Sequence, residues 1–252
     1  MELHGLVAVV TGGGSGIGRA CCELLAKEGA TAVAWDVTGG DVECDVTNEA
    51  SVEAALAQTV ATYGVPSVLV AAAGVGRVGR IVDLDLADWD LTYAVNVRGV
   101  MLSVRVVARA MTEAGLPGSL ALISSVNGTV ADAAHAMYST SKAAVNHLAR
   151  CAAVEMGAAG ILVNAIAVGP TETPMMAQTL AIEGYAQQIA DTTPLGRVGR
   201  PEDIAQGVVN VLRTDWLTGQ VVALDGGSSL MSARGHARAR GLAKPQPEKA
   251  GE

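Results

Sequence analysis

The sequence predicts a doubly wound α/β fold: one parallel sheet of about seven short strands with helices on both faces. Three observations carry this. Short apolar runs rich in Val, Ile and Ala alternate with amphipathic stretches of helical period from residue 6 to about residue 224. No long polar linker and no internal repeat divides them, so one domain accounts for 1–231. Strand-then-helix alternation favours right-handed crossovers, which place helices over both faces of a parallel sheet.

Taken in order, the strands are expected at 6–10, 31–35, 41–44, 67–71, 119–123, 162–168 and Val221–Leu224. Each is bounded by glycine, proline or polar residues, and each is short enough for a buried parallel strand. Helices are expected at 17–28, Glu49–Tyr63, 86–111, 138–156 and 201–212, the last opening on Pro201 in a first-turn position. Two stretches break the rhythm. Residues at about 170–199 form a long connection carrying Met175, Met176, Leu180, Ile182, Tyr185 and Ile189 at near-helical spacing, which predicts a lid with a short mobile helix. Residues 232–252, with five bases against two acids, read as a polar, basic extension.

The 252-residue chain is 50% apolar and 17% charged, which excludes disorder for its body. Mean hydropathy is +0.35, yet residues such as Arg77 and Asn164 interrupt the apolar runs before the ~18 residues that a membrane span needs. The start, Met1-Glu2-Leu3-His4-Gly5, carries an acid where a secretory leader carries bases, so a cytoplasmic protein without a membrane partner is expected. Net charge is −8, and the +3 extension leaves −11 for the body, which repels phosphate backbones and argues against nucleic acid. Cys21, Cys22, Cys44 and Cys151 show no metal-ligand spacing, so reduced thiols and no metal are expected.

The chemistry-bearing motifs begin where the first strand runs into Thr11-Gly12-Gly13-Gly14-Ser15-Gly16-Ile17-Gly18 and a helix follows at once. A glycine turn between strand and helix lets a diphosphate approach bare N–H groups at the helix start, where the helix dipole favours negative charge. Asp36 closes the second strand eighteen residues after Gly18, where an acid accepts hydrogen bonds from a ribose 2′-hydroxyl. Ser15 and Val37 supply no cation for a 2′-phosphate, so NAD(H) is favoured over NADP(H). Asp45, before Val46, follows the next short strand in position to face the adenine amino group. Tyr138 and Lys142 lie four apart and share a helix face, so the ammonium is expected to lower the phenol pKa from its usual ~10. Such a pair exchanges a proton with an alcohol or carbonyl while hydride moves to or from nicotinamide.

Together TGGGSGIG, Asp36, Asn96 in Asn96-Val97-Arg98-Gly99, Ser125 thirteen residues before Tyr138, and Tyr138-Ser139-Thr140-Ser141-Lys142 resemble the short-chain dehydrogenase/reductase family in its compact NAD-preferring form, over about residues 6–230. The resemblance implies a single-domain Rossmann-type fold. It makes Tyr138 the acid/base, with Lys142 tuning it and holding ribose hydroxyls. Ser125 would bond the substrate oxygen, and Asn96 would order a relay water. The dinucleotide would lie along Gly12, Ser15, Gly16, Ile17 and Gly18, with Asp36, Asp45 and Val46 at the adenosine end. Ala72, Gly74, Gly169, Thr171 and Thr173 would meet it further along, towards the nicotinamide.

Two positions depart from the family pattern. Ala72, in Ala71-Ala72-Ala73-Gly74, stands where an asparagine is usual, which predicts a stability cost and an intact reaction. Val168 stands where proline commonly precedes Gly169, which leaves the path of that loop open. The pocket, from Ser125, 126–137, the lid and 75–80, is largely apolar. It suits a mostly hydrophobic secondary alcohol or ketone, with His135 as a solvated loop residue. The absence of Phe leaves little scope for aromatic stacking. Small and apolar helix faces, together with the resemblance, point to a homotetramer. The alternatives are a 3-oxoacyl-[acyl-carrier-protein] reductase-like enzyme and a dinucleotide-binding sensor; a P-loop enzyme is excluded by the missing GxxxxGK[ST].

Overall fold

The computed structural model describes residues 1–230; the extension at 232–252 lies outside the described residues. Seven parallel strands form one sheet: β1 (Val7–Thr11), β2 (Thr31–Asp36), β3 (Val42–Glu43), β4 (Val68–Ala71), β5 (Gly118–Ser125), β6 (Ile161–Val168) and β7 (Val221–Leu224), in the order β3-β2-β1-β4-β5-β6-β7. The order reverses between β1 and β4. A crevice opens outside the carboxyl ends of strands at such a switch point, and ligands of doubly wound sheets bind there.

Alternation along each strand divides the apolar residues between two cores. Val7, Val9, Leu69, Leu120 and Leu122 face one layer, made by α2 (Glu49–Tyr63), α4 (Val100–Glu113) and α5 (Ala136–Met156). Ala8, Val10, Val68, Val70 and Ala121 face the other, made by α1 (Gly16–Lys27) and α8 (Pro201–Arg213). Each fully buried Leu or Val contributes about 1.5–3 kcal/mol relative to exposure. Trp35, fully buried in the first core, donates from its indole nitrogen to Thr59 Oγ1 at 2.9 Å, so its polar edge costs nothing.

The continuous helix expected at 86–111 is two helices. Leu86–Tyr93 (α3) passes through a π-helical segment, Ala94–Gly99, into α4. The wider turn centres on Asn96, whose side chain is buried and bonded to neighbours outside the helix. The stretch Leu86–Glu113 is long and apolar enough to cross a membrane, but 56% of its most apolar window is buried inside the protein. Its apolarity is spent on the core.

The connection at 170–199 holds two short helices, α6 (Ala177–Leu180) and α7 (Tyr185–Thr192), where one was expected. Its ends are laced together. Thr171 pairs with Gly199 as an isolated parallel bridge, Glu172 N donates to Gly199 O at 2.9 Å, and Gly199 N donates to Pro170 O at 3.0 Å. Gly169 N donates to Leu224 O, so β7 sets the path left open by Val168. The four cysteines are free thiols, and burial pushes Cys21 and Cys22 up to about 12 and Cys44 to about 11.

Candidate active site

The crevice at the switch point starts on the glycine turn. A Cβ at Gly18 would lie 2.1 Å from Gly12 O, and one at Gly14 would lie 2.5 Å from Thr38 O and 3.0 Å from Asp36 Oδ2. Only glycine permits these approaches, and they leave the start of the 12-residue helix α1 bare. Ser15 is its N-cap in extended geometry and makes no side-chain cap bond. Gly14 N donates to Asp36 Oδ2 at 3.0 Å and Thr38 N donates to Asp36 Oδ1 at 3.2 Å, so the carboxylate is held beside the turn. Bare N–H groups at a helix start and an aimed carboxylate one strand away fit a dinucleotide.

The other sequence-predicted positions follow around the crevice. Asp45 is exposed, and its Oδ1 accepts from Thr47 N and Thr47 Oγ1. Val46 turns its side chain into the core against Gly99, so only its backbone can face a ligand. Ala72 N donates to Thr11 O at 3.1 Å and Ala73 N donates to Thr11 Oγ1 at 3.2 Å. Both bonds fasten the start of the loop after β4 to Thr11 on the neighbouring strand. Thr173 lies within van der Waals reach of Gly16, at the foot of the lid, and the buried Thr171 donates to Gly169 O.

Ser125 ends β5, and Tyr138 and Lys142 lie on the first turns of α5. Ser125 Oγ donates to Val168 O at 3.3 Å and accepts from Asn127 N at 3.2 Å, and the Ser125 hydroxyl is near enough to the Tyr138 phenol to favour its ionised form. Lys142, 4% exposed, donates from Nζ to Ile123 O at 3.0 Å and lies 5.6 Å from the Tyr138 ring centroid. Asn96 accepts from Val75 N at 2.9 Å and donates to Val75 O and to Ser141 Oγ, joining the loop after β4, the π-helical segment and α5. Gly74 sits where Asn96 Oδ1 and Lys142 Nζ converge, 3.4 Å and 3.6 Å from its Cβ direction. His135 is the half-buried N-cap residue of α5, with Nδ1 2.8 Å from Ala133 O in a solvent-accessible contact.

The electrostatics correct one expectation. The Tyr138 phenol is held above its usual pKa, chiefly by burial, with the Ser125 hydroxyl opposing. Burial also pushes Lys142 down to about 8. Desolvation disfavours both charged forms and outweighs the attraction expected from spacing alone. The charged ammonium therefore costs stability at neutral pH, and that cost fades as pH rises from about 8 towards the ordinary 10.5. Relative to Lys142→Met, the wild-type protein should gain about 1 kcal/mol of unfolding free energy between about pH 8 and pH 9. Urea unfolding of both proteins at the two pH values measures this, and an unchanged difference would show that Lys142 is not desolvated. The thiols titrate in both proteins and drop out of the comparison.

Several contributors were not predicted. Ser124 Oγ donates to Lys142 O at 3.0 Å, and Ser141 Oγ donates to Tyr138 O at 2.7 Å, bracing the first turns of α5. Asn146, two turns beyond Tyr138 on the same face, is buried beneath Gly128 with its amide unpartnered among the described residues. A polar residue eight after Tyr138 on the buried face was the available signal.

This arrangement defines a dinucleotide-binding oxidoreductase fold with a Ser-Tyr-Lys-Asn cluster, and the comparisons agree. Residues 12–229 match a family model described as Enoyl-(Acyl carrier protein) reductase, and the chain belongs to the short-chain dehydrogenase/reductase family. It is 37% identical to cis-4-hydroxycyclohexanecarboxylate dehydrogenase of Sinomonas cyclohexanicum over 88% of this chain and 95% of that one. It is 34% identical to the 3-oxoacyl-[acyl-carrier-protein] reductase FabG of Thermotoga maritima over 90% and 99%. The crystal structure of a short-chain type dehydrogenase/reductase from Mycobacterium marinum superposes with a TM-score of 0.85 at 29% identity, covering 91% and 98%. Dehydrogenases of this family use nicotinamide dinucleotides.

Proposed function

We propose that the protein interconverts a secondary alcohol and a ketone on a mostly hydrophobic small molecule, using NAD(H). The observation that carries this is Tyr138 with buried Lys142 one turn on along α5, 5.6 Å from its ring, beside Ser125 at the end of β5, next to a glycine turn that leaves a helix start bare for a dinucleotide. In the oxidative direction, Ser125 holds the substrate oxygen and Tyr138, as the phenolate after losing its proton to solvent, takes the hydroxyl proton as the carbon gives up hydride. The bound dinucleotide supplies the hydride acceptor. Lys142 would orient the ribose, and its ammonium stabilises the Tyr138 phenolate when charged, while Asn96 keeps the loop after β4 in register with α5. A preference for NAD(H) rests on Asp36. Its two oxygens already accept from Gly14 N and Thr38 N, and a 2′-phosphate arriving there would meet an uncompensated negative charge.

Asp36→Ala is expected to weaken NADH binding about tenfold, the value of a charge-assisted hydrogen bond, and to bring NADPH within about threefold of NADH. Unchanged discrimination in paired titrations would break the ribose argument. The activity itself is tested with NAD and a panel of cyclohexanol, 4-methylcyclohexanol and 2-octanol, following NADH absorbance. Oxidation of at least one is expected, and none oxidised at saturating NAD would count against the reading. The relative from Sinomonas cyclohexanicum, named for a hydroxylated ring, supports an alicyclic substrate. The Thermotoga maritima relative favours a second reading, a 3-oxoacyl-[acyl-carrier-protein] reductase-like activity, which acetoacetyl-carrier protein with NADH or NADPH would reveal.

The same reading has the enzyme as a cytoplasmic homotetramer with no nucleic-acid or membrane partner. Exposed Val154 on α5 and Trp216 after α8 support apolar contacts between copies.

A further inference from the structure

Ala134 is the one non-glycine residue with a positive φ, +61°, among the described residues. It lies four residues before Tyr138, in the stretch that leads from Ser125 into α5. L-residues avoid this conformation, and where it persists the surroundings impose it, typically beside functional sites. Here the surroundings are specific. The Ala134 carbonyl accepts from Gly79 N at 2.7 Å, a bond between segments 55 residues apart in sequence. On the same short stretch, Asp132 Oδ1 accepts from Ala133 N, and His135 O accepts from Ser139 N as α5 begins.

The partner segment borders the reacting groups along its length. It leaves the sheet at Gly74, where Asn96 Oδ1 and Lys142 Nζ converge. At Gly76 it meets the lid, with Met175 Sδ 3.0 Å from the Cβ direction. At Gly79 it meets Met137 Cε at 3.4 Å, and Met137 is the buried neighbour of Tyr138. Val78 within the segment points to solvent at 64% exposure, and beyond Gly79 the contacts fall away: Ile81, Val82 and Leu86 are each at least 72% exposed. The loop therefore passes between Met175 of the lid and Met137 beside the acid/base, tied at Gly79 by the bond to Ala134.

We infer that Ala134 is a specificity-determining position. Its left-handed backbone aims the carbonyl that holds the 74–79 loop as a wall of the substrate pocket, and so sets the pocket's width. Ala134 positions the wall and does not touch the reacting atoms. The inference rests on the proposed alcohol oxidation.

The test separates backbone conformation from bulk. Valine and asparagine are similar in size, but asparagine accepts positive φ and a β-branched residue does not. With whichever of cyclohexanol, 4-methylcyclohexanol and 2-octanol the wild-type enzyme oxidises, Ala134→Val should raise KM at least tenfold, with kcat within threefold and NADH affinity unchanged. Ala134→Asn and Ala134→Gly should stay within threefold of wild type in all three. Equal effects of Val and Asn, or no effect of Val, would overturn the inference. Amide hydrogen exchange on the wild-type protein is independent of whether Ala134→Val folds: the Gly79 N–H should be protected at least 100-fold, and an unprotected amide overturns the clasp. If the wild-type enzyme oxidises none of the alcohols, the functional reading fails and the specificity role with it, while the exchange result still reports whether the clasp exists.

Discussion

Tyr138→Phe is expected to lower turnover by about 10²- to 10⁴-fold, the range for loss of a positioned acid/base, while NADH affinity stays within about twofold of wild type. The separation follows from geometry. In the proposed mechanism the phenol oxygen faces Ser125 and the substrate, whereas the glycine turn, Asp36 and Lys142 would hold the dinucleotide. Removing one oxygen from a ring that keeps its packing leaves the fold intact, so thermal unfolding should be unchanged. Steady-state kinetics with NAD and an oxidised alcohol, paired with NADH titration, measure both halves. Residual turnover within tenfold of wild type would remove Tyr138 from proton transfer. The direction of the pKa shift sharpens the expectation. A phenol held above its ordinary value stays protonated at neutral pH, so the proton needed in the reductive direction is in place. As a base it needs the neighbouring charge that Lys142, itself lowered to about 8, carries only below that pH. Oxidation should therefore depend more steeply on pH than reduction.

Gly18→Ala is expected to weaken NADH binding by at least about 100-fold and to cost about 1–3 kcal/mol of stability, the usual range for an overpacked site. The new methyl would stand 2.1 Å from Gly12 O and 2.7 Å from Gly12 C, both backbone atoms that no rotamer change can move aside. The turn must open, and the first N–H groups of α1 then lose their aim at the crevice. Calorimetric titration with NADH and a melting curve measure the two effects. A Kd within threefold of wild type would mean that the dinucleotide does not use this helix start.

The alternation of strands and helices was legible because fully buried parallel strands must be apolar throughout, as at 68–71 and 161–168. The junctions at the site were legible for a different reason. Gly18, Asp36, Ser125, Tyr138 and Lys142 each need one residue type at one spacing, and the fold brings them to the same ends of the strands. What the sequence hid depends on contacts between distant segments. The π-helical turn around Asn96 cannot be read from helical periodicity, because it is stabilised by Val75 and Ser141, 21 and 45 residues away. The raised phenol pKa reflects burial, which spacing on a helix does not report. The clasp from Gly79 to Ala134 has no local signature, since alanine carries no preference for positive φ.

The central claim is tested most directly by titrating the purified protein with NADH and, separately, with NADPH, following nucleotide fluorescence. The structure holds the Asp36 carboxylate beside the glycine turn through Gly14 N and Thr38 N, so NADH should bind at least about tenfold more tightly than NADPH. Tighter binding of NADPH would contradict the role of Asp36 and favour the carrier-protein reductase reading, and binding of neither would contradict the dinucleotide site itself.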